Sequence, residues 1–171
     1  MHFSSRRTVW LVAAFALAIV GLLALGGRPA AAQSAEDLWF GQFWQNQNLS
    51  GDPVLTRWDR TIDFRWFGGS PDSRLDGDNF SVRWTRNVAF AAGNYRFNAT
   101  MDDGMRVWIN DQLIIDNWTR SQEHTVSVDR FIPAGVHRVR VEHFEDGGQA
   151  TAIFTWDLIG PEDAGPQFPN W

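Results

Sequence analysis

Residues 94–109 read Asn-Tyr-Arg-Phe-Asn-Ala-Thr-Met-Asp-Asp-Gly-Met-Arg-Val-Trp-Ile, and their alternation decides the fold. Tyr95, Phe97 and Ala99 fall on one face, while Arg96, Asn98 and Thr100 fall on the other. After Gly104 the run Met105–Ile109 alternates again. A period of two is the mark of a half-buried strand, because successive side chains of an extended chain point to opposite faces. Asp102, Asp103 and Gly104 therefore connect two strands. Two chemistries suit that place. Asp and Gly form solvated turns for backbone reasons alone. Neighbouring carboxylates also repel each other and resist desolvation, which makes a hard cation their natural partner. Spacing leaves both readings open.

Outward from this stretch the chain reads as strand after strand. Leu38–Phe40 and Phe43-Trp44 come first, then a turn at Asn48–Pro53, then Val54–Trp58 and Ile62–Phe67. Gly68–Asn79 is rich in Gly, Pro, Ser and Asp and reads as a loop. Phe80, Val82 and Trp84 share one face of the next strand. Asn110-Asp111 separates Val107–Ile109 from Leu113–Ile115 as a tight hairpin, since Asn and Asp tolerate positive φ better than other non-glycine residues. Thr125–Val128 is a further strand, and Val136–Glu145 pairs with Ala150–Leu158 across Asp146–Gln149. Trp84, Trp108 and Trp156 are assigned to the core, and Trp118, between Asn117 and Thr119 near a strand end, to an exposed position suited to a ligand. No run of ten residues reads as a helix. Many short strands with Gly and Pro turns give an all-β chain, an antiparallel β-sandwich or barrel.

The first residues lie outside that fold. Arg6 and Arg7 precede the apolar run Val9–Leu25, Gly26–Pro29 breaks it, and Ala30–Ala32 supplies small residues of the A-x-A kind. Residues 1–32 read as a signal peptide, with an uncleaved anchor as the alternative, because the run approaches the roughly 17–25 residues that span a bilayer. Residues 33–37 form a short polar lead, 38–159 the sandwich, and 160–171 a Pro/Gly-rich tail. Removing the signal leaves 12 Arg against 20 Asp and Glu. Such an acidic domain is a poor nucleic-acid ligand, since phosphate binding requires a basic face. The chain has no cysteine, so disulfides contribute nothing to its stability.

Enzyme signatures are missing. There is no G-x-S-x-G, no P-loop, no G-x-G-x-x-G and no H-E-x-x-H. An EF-hand read from Asp72 fails, because Arg74 and Arg83 fall where oxygen ligands are needed. His137 and His143 are six residues apart on one strand, about 20 Å, and cannot share a metal. The sequence points away from an enzyme.

Several segments in order then resemble the PA14 domain family over Trp39–Trp156: Asn48–Gly51, Pro53–Arg57, Ile62–Phe64 with Trp66, Gly69–Pro71, Asp78–Trp84, Ala92–Phe97, Asp102–Trp108, Ile115–Trp118, Ala134-Gly135, Val139–Glu142 and Trp156. The order and spacing carry the likeness more than any one piece. The resemblance implies a β-sandwich used as a binding module of exported proteins. In lectin-like members, paired aspartates joined by a cis peptide hold a calcium ion that takes the hydroxyls of a sugar. That role carries over to Asp102 and Asp103. A second loop completes such sites, and its place here is Glu145-Asp146-Gly147-Gly148. The expected metal ligands are thus Asp102, Asp103, Glu145 and Asp146. The expected ligand contacts are Asp102, Asp103, Trp118, Gly147 and Gly148. His143 stands where Tyr is frequent in the family, and Asn110-Asp111 replaces a more usual Asp-Gly or Asn-Gly.

The reading is a secreted, cell-surface or periplasmic monomer, a carbohydrate-binding module that holds a glycan through Ca2+, with no membrane span once the signal is cut. The alternative is a structural or adhesive spacer without a small ligand, in which Asp102 and Asp103 cap a turn and Arg106 pairs with them or with Asp116.

Overall fold

A computed structural model describes residues 37–160; the expected signal peptide, most of the polar lead and nearly all of the tail lie outside the described residues. Ten strands follow one another: β1 (Trp39–Trp44), β2 (Leu55–Asp59), β3 (Ile62–Phe67), β4 (Phe80–Phe90), β5 (Gly93–Asp102), β6 (Gly104–Ile109), β7 (Gln112–Asn117), β8 (His124–Ile132), β9 (Gly135–Glu145) and β10 (Ala150–Gly160). They form a six-stranded sheet, ordered β2-β1-β4-β9-β6-β7, and a four-stranded sheet, ordered β3-β10-β5-β8. Every pairing is antiparallel. No helix among the described residues is long and apolar enough to cross a membrane.

Alternating side chains build the core between the sheets. Phe43, Phe80, Val82 and Trp84 of the larger sheet are fully buried, and so are Phe97, Ala99, Met101 and Ala152 of the smaller one. Ring contacts knit the two layers. Phe64 stacks on Trp84 at 5.6 Å, and Trp39 meets Phe154 edge-on at 6.1 Å. The one polar atom of the Trp84 ring, Nε1–H, donates to Asp59 Oδ2 at 2.9 Å, while Arg57 holds Oδ1 of the same carboxylate at 2.8 Å. A buried indole thus keeps its hydrogen bond, as the cost of burying an unpaired donor requires.

The expected turn at Asn110-Asp111 forms with φ of 48° and 65°, and joins β6 to β7. One assignment needs correction. Trp108 is half-buried on the outer face, because Met105, Val107 and Ile109 take the inward phase of β6 and Trp108 lies opposite Arg140 of β9. Leu158 shares a phase with Phe154, yet β10 outruns the core there and leaves Leu158 56% exposed.

Register sets the position of the site. Phe80 pairs with Glu145, Gly104 with Phe144, and Thr151 with Asp102. The ends of β5 and β9 and the starts of β4, β6 and β10 therefore meet at one end of the sandwich. Trp84→Ala should destabilise the fold by about 3–5 kcal/mol, the cost of an emptied aromatic site. Urea denaturation reads this directly, and a loss below about 1 kcal/mol would show that Trp84 does not anchor the core.

Candidate metal and ligand site

Asp102 closes β5, Asp103 follows it through a cis peptide, and Gly104 opens β6. Gly104 is required by close approach: a Cβ there would meet the Phe144 ring and lie 2.9 Å from the Asn117 carbonyl oxygen. Glu145 ends β9, directly beside this connection. One carboxylate oxygen from each of Asp102, Asp103 and Glu145 lies within 4.8 Å of the others. Asp103 is 6% exposed and Glu145 fully buried.

The three carboxylates are held very differently. Asp103 Oδ1 accepts the Ser121 N–H at 2.9 Å, and Oδ2 accepts the Asp146 N–H at 2.8 Å. Ser121 Oγ also donates to the Asp103 carbonyl oxygen at 3.1 Å. Both oxygens of Glu145, by contrast, are buried without a hydrogen-bond partner. Burial pushes the Glu145 carboxyl up to about 8, reinforced by the charges of Asp103, Asp102 and Asp78 and opposed weakly by the Gly147 N–H. Burial also raises Asp102, with further contributions from Asp103 and Glu123. His143, wholly buried next to Glu145, donates Nδ1–H to the Gly104 carbonyl oxygen at 3.1 Å, and burial lowers it to about 3, so it stays neutral.

Three of the four expected metal ligands therefore come together. The fourth does not join through its side chain. Asp146 gives its main-chain N–H to Asp103, while its Oδ1 accepts from Gln47 Nε2 and pairs with Arg120 Nη2 at 2.7 Å. Gly147 and Gly148 lie exposed in the β9–β10 loop; Gly148 has φ +107°, a conformation that side chains rarely adopt, and its N–H donates to Asp78 Oδ1 at 3.1 Å. Trp118 is half-buried, packed on Phe144 at 4.8 Å with the Arg106 guanidinium 3.9 Å above its ring. Arg106 itself pairs with Glu142 at 2.7 Å, not with Asp102, Asp103 or Asp116. Sequence reasoning passed over Ser121, Glu123, Asp78 and Gln47. The polar run Thr119–Glu123 announces a loop, but nothing local in it points to Asp103.

The donor set fits a hard cation. It consists of carboxylate oxygens, and both nitrogens of the neighbouring His124 are already engaged, by Asn117, Ser121 and the Gln122 carbonyl. A cationic partner, or a proton, is what makes a buried carboxylate such as Glu145 tolerable.

An antiparallel β-sandwich with an acidic site at one end of its sheets is thus the class defined by fold and geometry. Residues 38–168 match the family model described as PA14 domain, and the chain belongs to that family. Over 118 residues it is 31% identical to the anti-sigma-I factor RsgI3 of Acetivibrio thermocellus, covering 68% of this chain and 18% of that protein. The chain thus spans less than a fifth of the length of this curated relative. A solved anti-sigma factor domain-containing protein is 28% identical with a TM-score of 0.68, over 73% of this chain and 43% of that one. A PA14 sugar-binding domain from an RTX adhesin is similar in fold, with a TM-score of 0.63 and 18% identity, over 71% of this chain and 90% of that one.

The shift at Glu145 has a pH signature. Its ordinary value is 4.5 and its folded value about 8, so between them the folded state binds more protons than the unfolded chain. Stability then falls as pH rises. The melting midpoint of the metal-free domain in EDTA should drop steadily from about pH 5 to about pH 8; a flat profile would contradict a buried, unpaired Glu145.

Proposed function

We propose that this domain is an exported, calcium-dependent carbohydrate-binding module. The observation that carries the reading is Glu145: a buried carboxylate with two unpartnered oxygens, set against Asp102 and Asp103. A divalent cation compensates all three charges at once. Calcium prefers about six to eight oxygen ligands at roughly 2.3–2.6 Å, which the three carboxylates begin to supply and which loop carbonyls and water complete. Bound there, calcium offers open positions to vicinal sugar hydroxyls. The likeness in fold to a sugar-binding PA14 domain of an adhesin supports this reading. In this reading the site works by coordination and the domain acts as a binder.

A second reading has its own observation. Asp103 already accepts main-chain N–H groups from Ser121 and Asp146, which ties two loops together without any ion. In a spacer domain that lock is the whole purpose of the acidic pair.

Calorimetry separates the two. Wild type should bind calcium with a dissociation constant of about 10⁻⁴–10⁻³ M, typical of extracellular modules. Saturation to about 100-fold above that constant should raise stability by about 2.7 kcal/mol. Glu145→Gln should abolish calcium binding while keeping the melting midpoint in EDTA near neutral pH, because the metal-free Glu145 carboxyl is there mostly a neutral acid and the amide preserves its shape. With calcium present, a panel of mono- and oligosaccharides should then give heats that EDTA removes. An absence of calcium binding by wild type, or undiminished binding by Glu145→Gln, would sink the proposal and favour the spacer.

A further inference from the structure

The loop Trp118–Glu123 covers one side of the acidic cluster, and its fixation comes from side chains. None of the main-chain hydrogen bonds outside the strands, among the described residues, involves this loop. Its middle delivers Ser121, whose N–H and Oγ hold Asp103. Its start is Trp118. That ring is packed on Phe144, the residue before Glu145, with ring centroids 4.8 Å apart and planes tilted by 49°. On the ring lies the Arg106 guanidinium, its Cζ 3.9 Å from the centroid.

Arg106 is itself immobilised. Its Nη2 donates to Glu142 Oε2 at 2.7 Å, and Glu142 is only 3% exposed. Arg83 occupies the other oxygen of Glu142 through Nε at 2.7 Å. These three residues stand opposite one another on adjacent strands, Arg83 on β4, Glu142 on β9 and Arg106 on β6. A planar guanidinium paired through one edge and stacked through its face is a rigid support, which a point-charge ammonium cannot reproduce.

We infer that Trp118 and Arg106 are positioning residues that clamp the 118–123 loop over the acidic cluster, so that Ser121 holds Asp103 in place for the cation. The inference rests on the calcium reading for its purpose, but the clamp is a property of the calcium-free protein. It gives Trp118 a supporting role in place of the expected direct ligand contact. Residues that orient ligands from outside the coordination sphere commonly change metal affinity by about 10- to 100-fold when removed.

The test combines amide exchange with calcium titration on the whole chain. In Trp118→Ala, the Ser121 amide should exchange about tenfold faster in EDTA, and calcium affinity should fall about tenfold, while amides of β5 and β10 stay protected. Trp118→Phe should restore both readouts, because a ring between Phe144 and Arg106 is retained. Arg106→Lys keeps the charge and loses the stack, and should loosen Ser121 as well. If Trp118→Ala is too unstable to study, Trp118→Phe and Arg106→Lys still divide the outcomes. Unchanged Ser121 exchange in the alanine or lysine variant would overturn the clamp. So would a variant that loses glycan affinity alone, with Ser121 exchange and calcium affinity intact, since that is the behaviour of a stacking platform. A wild type that ignores calcium would instead defeat the parent reading, with Ser121 exchange still reporting on the clamp.

Discussion

Three carboxylates brought within 4.8 Å of one another, one of them sealed from water, set the terms for this end of the molecule. Like charges in a partly dry site repel strongly, and a carboxylate without donors carries the desolvation penalty in full. The surrounding loops answer that cost with N–H groups. Ser121 and Asp146 address Asp103, the Glu123 amide addresses Asp102, and Gly148 addresses Asp78. Glu145 is the one carboxylate of the group with both oxygens buried and without a well-formed hydrogen bond, the Gly147 N–H acting on it only weakly. The loops are thus arranged around negative charge at every point but one, and that point is where a cation has most to contribute.

The sandwich makes this arrangement possible because strands fix what loops cannot. Glu145 follows Phe144 at the end of an eleven-residue strand whose register is locked on both sides, to β4 and to β6. Asp102 is locked in the same way through Thr151 of β10. On the outer face, the Arg83–Glu142–Arg106 row joins three of these strands three rows below Glu145. A buried ion network of this kind is weak evidence for stability, because desolvation offsets its attraction. Its geometric value is clearer: it presents Arg106 to Trp118 and so connects the sheet to the loop that holds Asp103.

Much of this was legible from the sequence. Period-two alternation located nearly every strand, and it placed Asp102-Asp103 in a connection without reference to any relative. The residues on β5 that alternation turned inward, Tyr95, Phe97 and Ala99, are all buried. Glu145 was reached through family likeness, since a single carboxylate at a strand end carries no local mark. Asp146 shows the limit of that route: its main chain serves the site while its carboxylate faces Gln47 and Arg120. Ser121 and Asp146 contact Asp103 across 18 and 43 residues of sequence, and Asp78 contacts Gly148 across 70. Such contacts depend on loop conformation, which side-chain periodicity does not encode. Trp108 and Trp118 misled for a related reason. Strand phase suggested burial for Trp108 and polar neighbours at a strand end suggested exposure for Trp118, whereas guanidinium stacking on the sheet's outer face leaves both half-buried.

The central claim is that Glu145 is a buried carboxyl awaiting a cation. Carbon-13 NMR of the Glu145 side-chain carboxyl, titrated against pH with and without calcium, tests it most directly. In EDTA the signal should titrate near 8, far above the ordinary 4.5, and calcium at neutral pH should shift it to the ionised position. A Glu145 that titrates near its ordinary value and does not respond to calcium would contradict the account.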